Sequence, residues 1–174
     1  RHGLSPANDA EAVRMLRAAG HEIVGLDTGL YDECDFAAPP DDVPELGIKD
    51  FRDVEPRHLE GFDAVIHLAA LSNDPLGDLN PNLTYDINLE GSIALAKAAK
   101  QAGVSRFLFS SSCSLYGAGT DGLLDENAPF NPVTPYGESK IRVEQTLSEL
   151  ADEDFSPVYF RNATAYGVSR WLSA

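Results

Sequence analysis

Apolar and polar positions along the chain form alternating helix-like and strand-like runs. Asn8 or Asp9 can cap a helix, Ala12, Met15, Leu16 and Ala19 recur at helical spacing, and Gly20 stops the run. Residues 21–27 (HEIVGLD) predict a short buried strand. Residues 28–45, rich in acids and carrying Pro39 and Pro40 in a row, predict a loop. A short strand is expected over 47–49, a short helix over 55–60, and another strand over 62–68 (FDAVIHL). A long helix then starts near Pro81, with Leu83, Ile87, Gly91, Ala94 and Ala98 along one face and Gly103 at its end. Residues 106–110 (RFLFS) predict a strand, 136 to about 151 a helix, and 157–161 a last strand. Between them, 113–135 predicts a loop containing Gly117, Gly119, Gly122, Pro129, Pro132 and Pro135, and a loop of that length in a compact domain is usually functional.

Short apolar strands alternating with helices imply α/β architecture, a doubly wound parallel sheet covered on both faces. Ligands in such sheets sit beyond the carboxyl ends of the strands, so the residues just after each strand are the ones to inspect. The length of 174 residues suits one domain, and 43% hydrophobic with 24% charged residues excludes a disordered or low-complexity chain. No stretch reaches the roughly 18 uncharged apolar residues of a membrane span. A net charge of −15 with no basic patch argues against nucleic acid as a partner. Cys34 and Cys113 have neither metal-type spacing nor the pattern of a disulfide framework. No metal is expected, and a reducing, cytoplasmic compartment is. The N-terminus carries no apolar signal core. The sequence opens on Arg1 rather than Met, and we expect it to be part of a longer protein.

Asp27 ends the first strand, where a carboxylate can accept from a ribose 2′-hydroxyl and would repel a 2′-phosphate. That favours NAD over NADP, although a solvated strand-end Asp reads equally well. Asp50-Phe51-Arg52-Asp53 follows the next strand, and an acid there can accept from an adenine amino group or simply cap a turn. His67-Leu68-Ala69-Ala70 follows the third. Its small residues permit close approach of a pyrophosphate, while His67 reads as a core histidine without chemistry. Ser110, Ser111 and Ser112 end the strand RFLFS, a hydroxyl cluster placed to hold a substrate oxygen or to make a turn. Tyr136 and Lys140 stand four apart on one helix face, where an ammonium would favour the phenolate, unless they are merely a surface pair.

Each piece is weak alone, but their order is specific: Ser112 lies 24 residues before Tyr136. With Asn88 and Gly91 in the long helix, Ser110-Ser111-Ser112-Cys113-Ser114-Leu115-Tyr116-Gly117, and Tyr136-Gly137-Glu138-Ser139-Lys140, the chain resembles the nucleotide-binding half of an extended short-chain dehydrogenase/reductase. More narrowly, it resembles the NAD-dependent sugar epimerase/dehydratase group over roughly residues 10–168. The resemblance implies a Rossmann-like domain over 1–168, incomplete at its N-terminus, with 169–174 beginning or remaining from a C-terminal substrate domain. It implies Tyr136 as the proton-transferring residue, Ser112 as its hydroxyl partner, and Lys140 lowering the tyrosine pKa and holding the nicotinamide ribose. For the cofactor it implies Asp27 on the adenosine ribose, Asp50 and Phe51 flanking adenine, Leu68, Ala69 and Ala70 along the pyrophosphate, and Asn88 ordering the helix beside the site. Ser114, Asn162 and Thr164 would face the substrate, a nucleotide sugar. A homodimer through the helices near 81–102 and 136–151 is a further expectation.

The chain departs from the family in several places. It has no G-x-x-G-x-x-G or G-x-G-x-x-G, so the first strand and its phosphate loop are expected to be missing. Arg161-Asn162-Ala163-Thr164 differs from the commoner aromatic-Asn version. The Asp-Glu pair that follows the catalytic hydroxyl residue in 4,6-dehydratases is replaced by Cys113 and Ser114, which argues against that elimination. The function expected is therefore NAD-dependent epimerisation of a nucleotide sugar. The alternatives are an NAD(P)-dependent reductase or dehydrogenase of a sugar-like or small carbonyl substrate, and a non-catalytic nucleotide-binding or regulatory protein on the same fold.

Overall fold

A computed structural model describes residues 6–28, 44–48, 50–71, 80–117 and 122–163. Its centre is a three-stranded parallel sheet in the order β1 (Ala64–His67), β2 (Arg106–Ser112), β3 (Ser156–Asn162). Ala64 pairs with Arg106, and Arg106 with Ser156, so the three strands start level. The β1–β2 connection passes through α2 (Pro81–Thr84), a π-helical turn (Tyr85–Gly91) and α3 (Ser92–Gln101). The β2–β3 connection passes through α4 (Pro135–Leu150). Earlier in the chain stands α1 (Pro6–Ala18), which begins before the expected Asn8 or Asp9 cap because Pro6 already suits a first helical position.

Side chains alternate across the strands and divide the sheet into two unlike faces. Val65, His67, Phe107, Phe109 and Tyr159 face α3 and α4, where Leu95, Ala96, Ala99, Val143 and Leu147 meet them in one core. Phe107 and Phe109 are fully buried, and truncating either ring to Ala would cost about 3–5 kcal/mol. On the other face Ile66, Val158 and Phe160 are exposed, so among the described residues only one face is covered by helices.

Several expectations shift. Residues 21–27 form no strand; they make a single parallel bridge, Gly25 with Glu45, held by Gly25 N–H to Pro44 O and Leu46 N–H to Gly25 O. An apolar run becomes a strand only where a neighbour pairs with it over several residues, and here one bridge is all that forms. The strand expected at 47–49 is likewise reduced to that bridge at Glu45, since Gly47 turns the chain at φ +77°; Lys49 lies outside the described residues. The short helix expected over 55–60 is a single 3-10 turn, Pro56–His58, and a first 3-10 turn, Phe51–Asp53, precedes it. Asp50 caps the first by accepting from Arg52 N–H, and the His58 ring accepts from Glu55 N–H in the second. The expected stripe Leu83–Ile87–Gly91–Ala94–Ala98 does not run down one face: Leu83 and Ala94 are exposed while Gly91 and Ala98 are buried. The π-helical turn has wider spacing than an α-helix, so it rotates the buried face between α2 and α3.

Candidate active site

The carboxyl end of β2 and the first two turns of α4 meet at one place. Ser112 ends β2 and caps the 3-10 turn Cys113–Tyr116: its Oγ accepts from Ser114 N–H at 3.1 Å and donates to Ser114 Oγ at 3.1 Å. Thr134 caps α4 by accepting from Gly137 N–H at 3.1 Å, with Pro135 in the first turn. Gly137 allows the two to touch, because a Cβ there would stand 2.8 Å from Ser114 O and 3.3 Å from Pro132 Cβ. Gly117, at φ +68°, is equally constrained, since a Cβ there would overlap the Asn131 carbonyl oxygen.

Lys140 lies one turn after Tyr136 and is almost wholly buried. Its Nζ donates to the Ser110 carbonyl at 2.7 Å and sits 4.5 Å from the Phe109 ring centre and 5.4 Å from that of Tyr136. Burial pushes its pKa down to about 7, and the Glu144 carboxylate acts against that shift. On the neighbouring strand Asn162 donates to Ser110 Oγ at 3.3 Å. The serine cluster, Tyr136, Lys140 and Asn162 are thus drawn to one strand end. Thr164 lies outside the described residues.

The other candidates are distributed along the ends of the earlier elements. Asn88 is buried in the π-helical turn and clamps the chain just beyond Leu68–Ala70: its Oδ1 accepts from Leu71 N–H at 2.7 Å and its Nδ2 donates to Leu71 O at 2.9 Å. Phe51 points into the core, edge-on to His67 at 4.9 Å and against Gly91, where a Cβ would come 2.8 Å from the ring. Asp50 is bound by Arg52, which also pairs with Asp86. Asp27 stands half-buried two residues after the Gly25 bridge, and beside it Thr28 Oγ1 is buried without a hydrogen-bond partner. His67 is buried, bonded to Ser92 Oγ at 2.8 Å, and burial pushes its pKa down to about 3, as befits a neutral core histidine.

Two residues outside the expected set complete the corner. Glu144, one turn beyond Lys140, is buried and takes a two-pronged ion pair from Arg161 of β3, with Nη2 to Oε2 at 2.7 Å and Nε to Oε1 at 3.1 Å. Arg161 Nη1 also donates to Tyr116 Oη at 2.9 Å and to Glu126 O at 2.7 Å. Beside this group lies a cavity of about 330 Å³, lined by Cys113, Tyr116, Gly117, Asp125, Glu126 and Arg161 among others. The 136–140–144 spacing signals Glu144, but nothing local in the sequence pairs it with Arg161. Among the described residues no cluster could hold a metal ion, and no helix is long and apolar enough to cross a membrane.

A family model, NAD dependent epimerase/dehydratase family, matches residues 10–171. The chain belongs to that family. A UDP-glucose 4-epimerase of Lactobacillus helveticus is 35% identical over 147 residues, covering 80% of this chain and 42% of the relative. Among solved structures, the UDP-glucose 4-epimerase of Thermus thermophilus in complex with NAD superposes with TM-score 0.73 at 28% identity, covering 87% of this chain and 50% of that one. An NAD dependent NDP-hexosamine 5,6-dehydratase involved in tunicamycin biosynthesis superposes with TM-score 0.73 at 25% identity, covering 86% of this chain and 48% of that one. The chain therefore spans about half the length, or less, of these members of the NAD dependent epimerase/dehydratase family, and it shares their Rossmann-like parallel sheet with helices.

Proposed function

We propose that the protein carrying this sequence is an NAD-dependent epimerase of a nucleotide sugar. The observation that supports this most directly is the meeting of Ser112, Tyr136 and Lys140 around the carboxyl end of β2, with Lys140 buried and donating to Ser110 O. The kinship with UDP-glucose 4-epimerases supports the substrate class.

Residues present along the strand ends suit NAD. Asp27 would take the adenosine ribose, and the orphaned Thr28 hydroxyl next to it is a buried group still lacking a partner. The Phe51 ring is committed to the core, which leaves Asp50 and the local backbone for adenine. Leu68, Ala69 and Ala70 offer the pyrophosphate only small side chains and backbone, held in place by Asn88 through Leu71. Lys140 would hold the nicotinamide ribose.

Held by these residues, NAD would supply a reversible acceptor for the hydride on the sugar carbon. Tyr136, as phenolate, takes the hydroxyl proton from the oxygen on that carbon. Ser112 donates a hydrogen bond to the same oxygen as it becomes a carbonyl. After the keto sugar turns its other face, Tyr136 gives the proton back and the epimer results, with no net oxidation. Neither Cys113, an exposed free thiol, nor Ser114, bonded to Ser112, supplies the carboxylic acid that a 4,6-elimination requires.

The test is to incubate the purified full-length protein with UDP-glucose and UDP-galactose separately, without added NAD. Interconversion of the two, with NAD released on denaturation and no accumulation of NADH, is expected. Stoichiometric NADH would instead make it a dehydrogenase. Loss of water from the sugar would make it a dehydratase, and absence of both cofactor and turnover would leave a binding protein.

A further inference from the structure

Arg161 uses four of its five N–H groups within this chain, on partners drawn from three separate segments: Glu144 in α4, Tyr116 at the end of the 3-10 turn, and the Glu126 carbonyl. Its guanidinium also lies 4.8 Å from the Phe130 ring centre and 5.8 Å from that of Tyr116. The two segments it gathers are themselves joined, since Asn131 N–H donates to Leu115 O at 2.9 Å and Gly117 packs directly on Asn131. Both segments line the cavity that begins at Cys113, the residue after Ser112.

We infer that Arg161 is a positioning residue for the wall of the site beside Ser112, tying Cys113–Tyr116 and residues 122–131 to α4 and so fixing the space into which the sugar must fit. This rests on the proposed epimerase reading for the identity of the ligand, but not for the anchor itself. An exposed ion pair would contribute little. This one is different in kind, because Glu144 is buried and the planar fork serves carboxylate, hydroxyl and carbonyl at once. A lysine keeps the charge opposite Glu144 but cannot reproduce that set of directions. The other side chains make their hydrogen bonds elsewhere, Lys140 with Ser110 O and Asn88 with Leu71, and a lysine at 161 keeps the charge that balances Glu144, the carboxylate that also acts on Lys140.

The experiment compares the full-length protein with its Arg161→Lys and Tyr116→Phe variants by amide hydrogen exchange and by steady-state kinetics. In Arg161→Lys, amides of 115–117 and 122–131 exchange at least about tenfold faster, while those of β2 are unchanged. KM for UDP-glucose rises roughly tenfold and kcat falls less than about threefold. Affinity for UDP alone, which lacks the sugar, stays within about twofold, and bound NAD is retained. Tyr116→Phe removes one partner and leaves the ion pair intact, so it moves KM and exchange the same way by about two- to fivefold, even if Arg161→Lys fails to fold. Unchanged exchange and KM in Tyr116→Phe overturn the inference. So does a loss confined to kcat, or a matching loss of UDP affinity. If the unaltered protein turns over no UDP-sugar, the proposed function fails. The exchange comparison then decides the anchor by itself, faster exchange supporting it and unchanged exchange overturning it.

Discussion

At the Ser112–Tyr136–Lys140 end of the proposed site, most polar side chains are bonded to one another or to the strand backbone: Ser112 to Ser114, Lys140 to Ser110 O, Asn162 to Ser110 Oγ, Glu144 to Arg161, with Ser111 Oγ buried among them without a partner. At the Asp27 end, two short segments meet through one parallel bridge, and a buried hydroxyl at Thr28 has no partner. The contrast separates two ways of making a site. One end is preorganised by packing between a strand end and a helix, which is what proton transfer to a defined atom requires. The other is held by a single bridge between two short segments, and few contacts there fix its side chains before a ligand arrives.

The largest expected effect falls at the preorganised end. Under the proposed function, Tyr136→Phe should lower epimerase turnover by about 10²–10⁴-fold, because it would remove the hydroxyl assigned to the proton transfer while leaving the ring. Thermal unfolding of the variant should barely move; turnover that survives would break the distinction drawn between the two ends.

A second effect is read in stability rather than rate. The pKa of Lys140 is lowered in the folded state to about 7 from an ordinary 10.5. Between those values the unfolded chain binds more protons than the folded one, so stability should rise as pH climbs from about 7 to about 10.5. Below that window both states are protonated, and the full cost of burying the charge is present. Lys140→Met should flatten that rise, as followed by denaturant midpoints across the range. An unchanged slope would mean that Lys140 is not the buried titrating group.

The smallest effect belongs to the other end. If Asp27 takes the ribose as proposed, Asp27→Ala should leave unfolding unchanged and weaken NAD binding by roughly tenfold, the scale of losing a hydrogen bond to a charged acceptor. It should also relax discrimination against NADP, measured as the ratio of the two dissociation constants. An unaltered ratio would detach Asp27 from the ribose.

What the sequence makes legible follows the same division. Tyr136 and Lys140 are four apart on a helix, a local spacing that survives folding, so their shared face can be read directly. His67 can be read as a core residue because it ends an apolar strand, and it is one, between Phe51, Phe109 and Ser92. The pairing of Glu144 with Arg161 spans 17 positions and two elements, and nothing in either neighbourhood announces it. The apolar run 21–27 is visible, but its becoming a strand depends on partners that composition does not encode. Asn88 can be picked out as part of the pattern, whereas its grip on the Leu71 backbone depends on a turn of non-standard pitch.

That pitch carries a consequence for how the chain tolerates change. The π-helical turn Tyr85–Gly91 works like a clutch between two shafts: α2 is set by Thr84 and its neighbours against one part of the molecule, α3 by Leu95, Ala96 and Ala99 against the sheet. Because the surplus residue is absorbed between them, each shaft keeps its own angular setting. A single-residue deletion anywhere inside the clutch would relock the shafts in the wrong phase, carrying Asn88 away from Leu71 or α3 away from the core, whereas substitutions of the solvent-facing Asp86 or Glu90 leave the phase untouched.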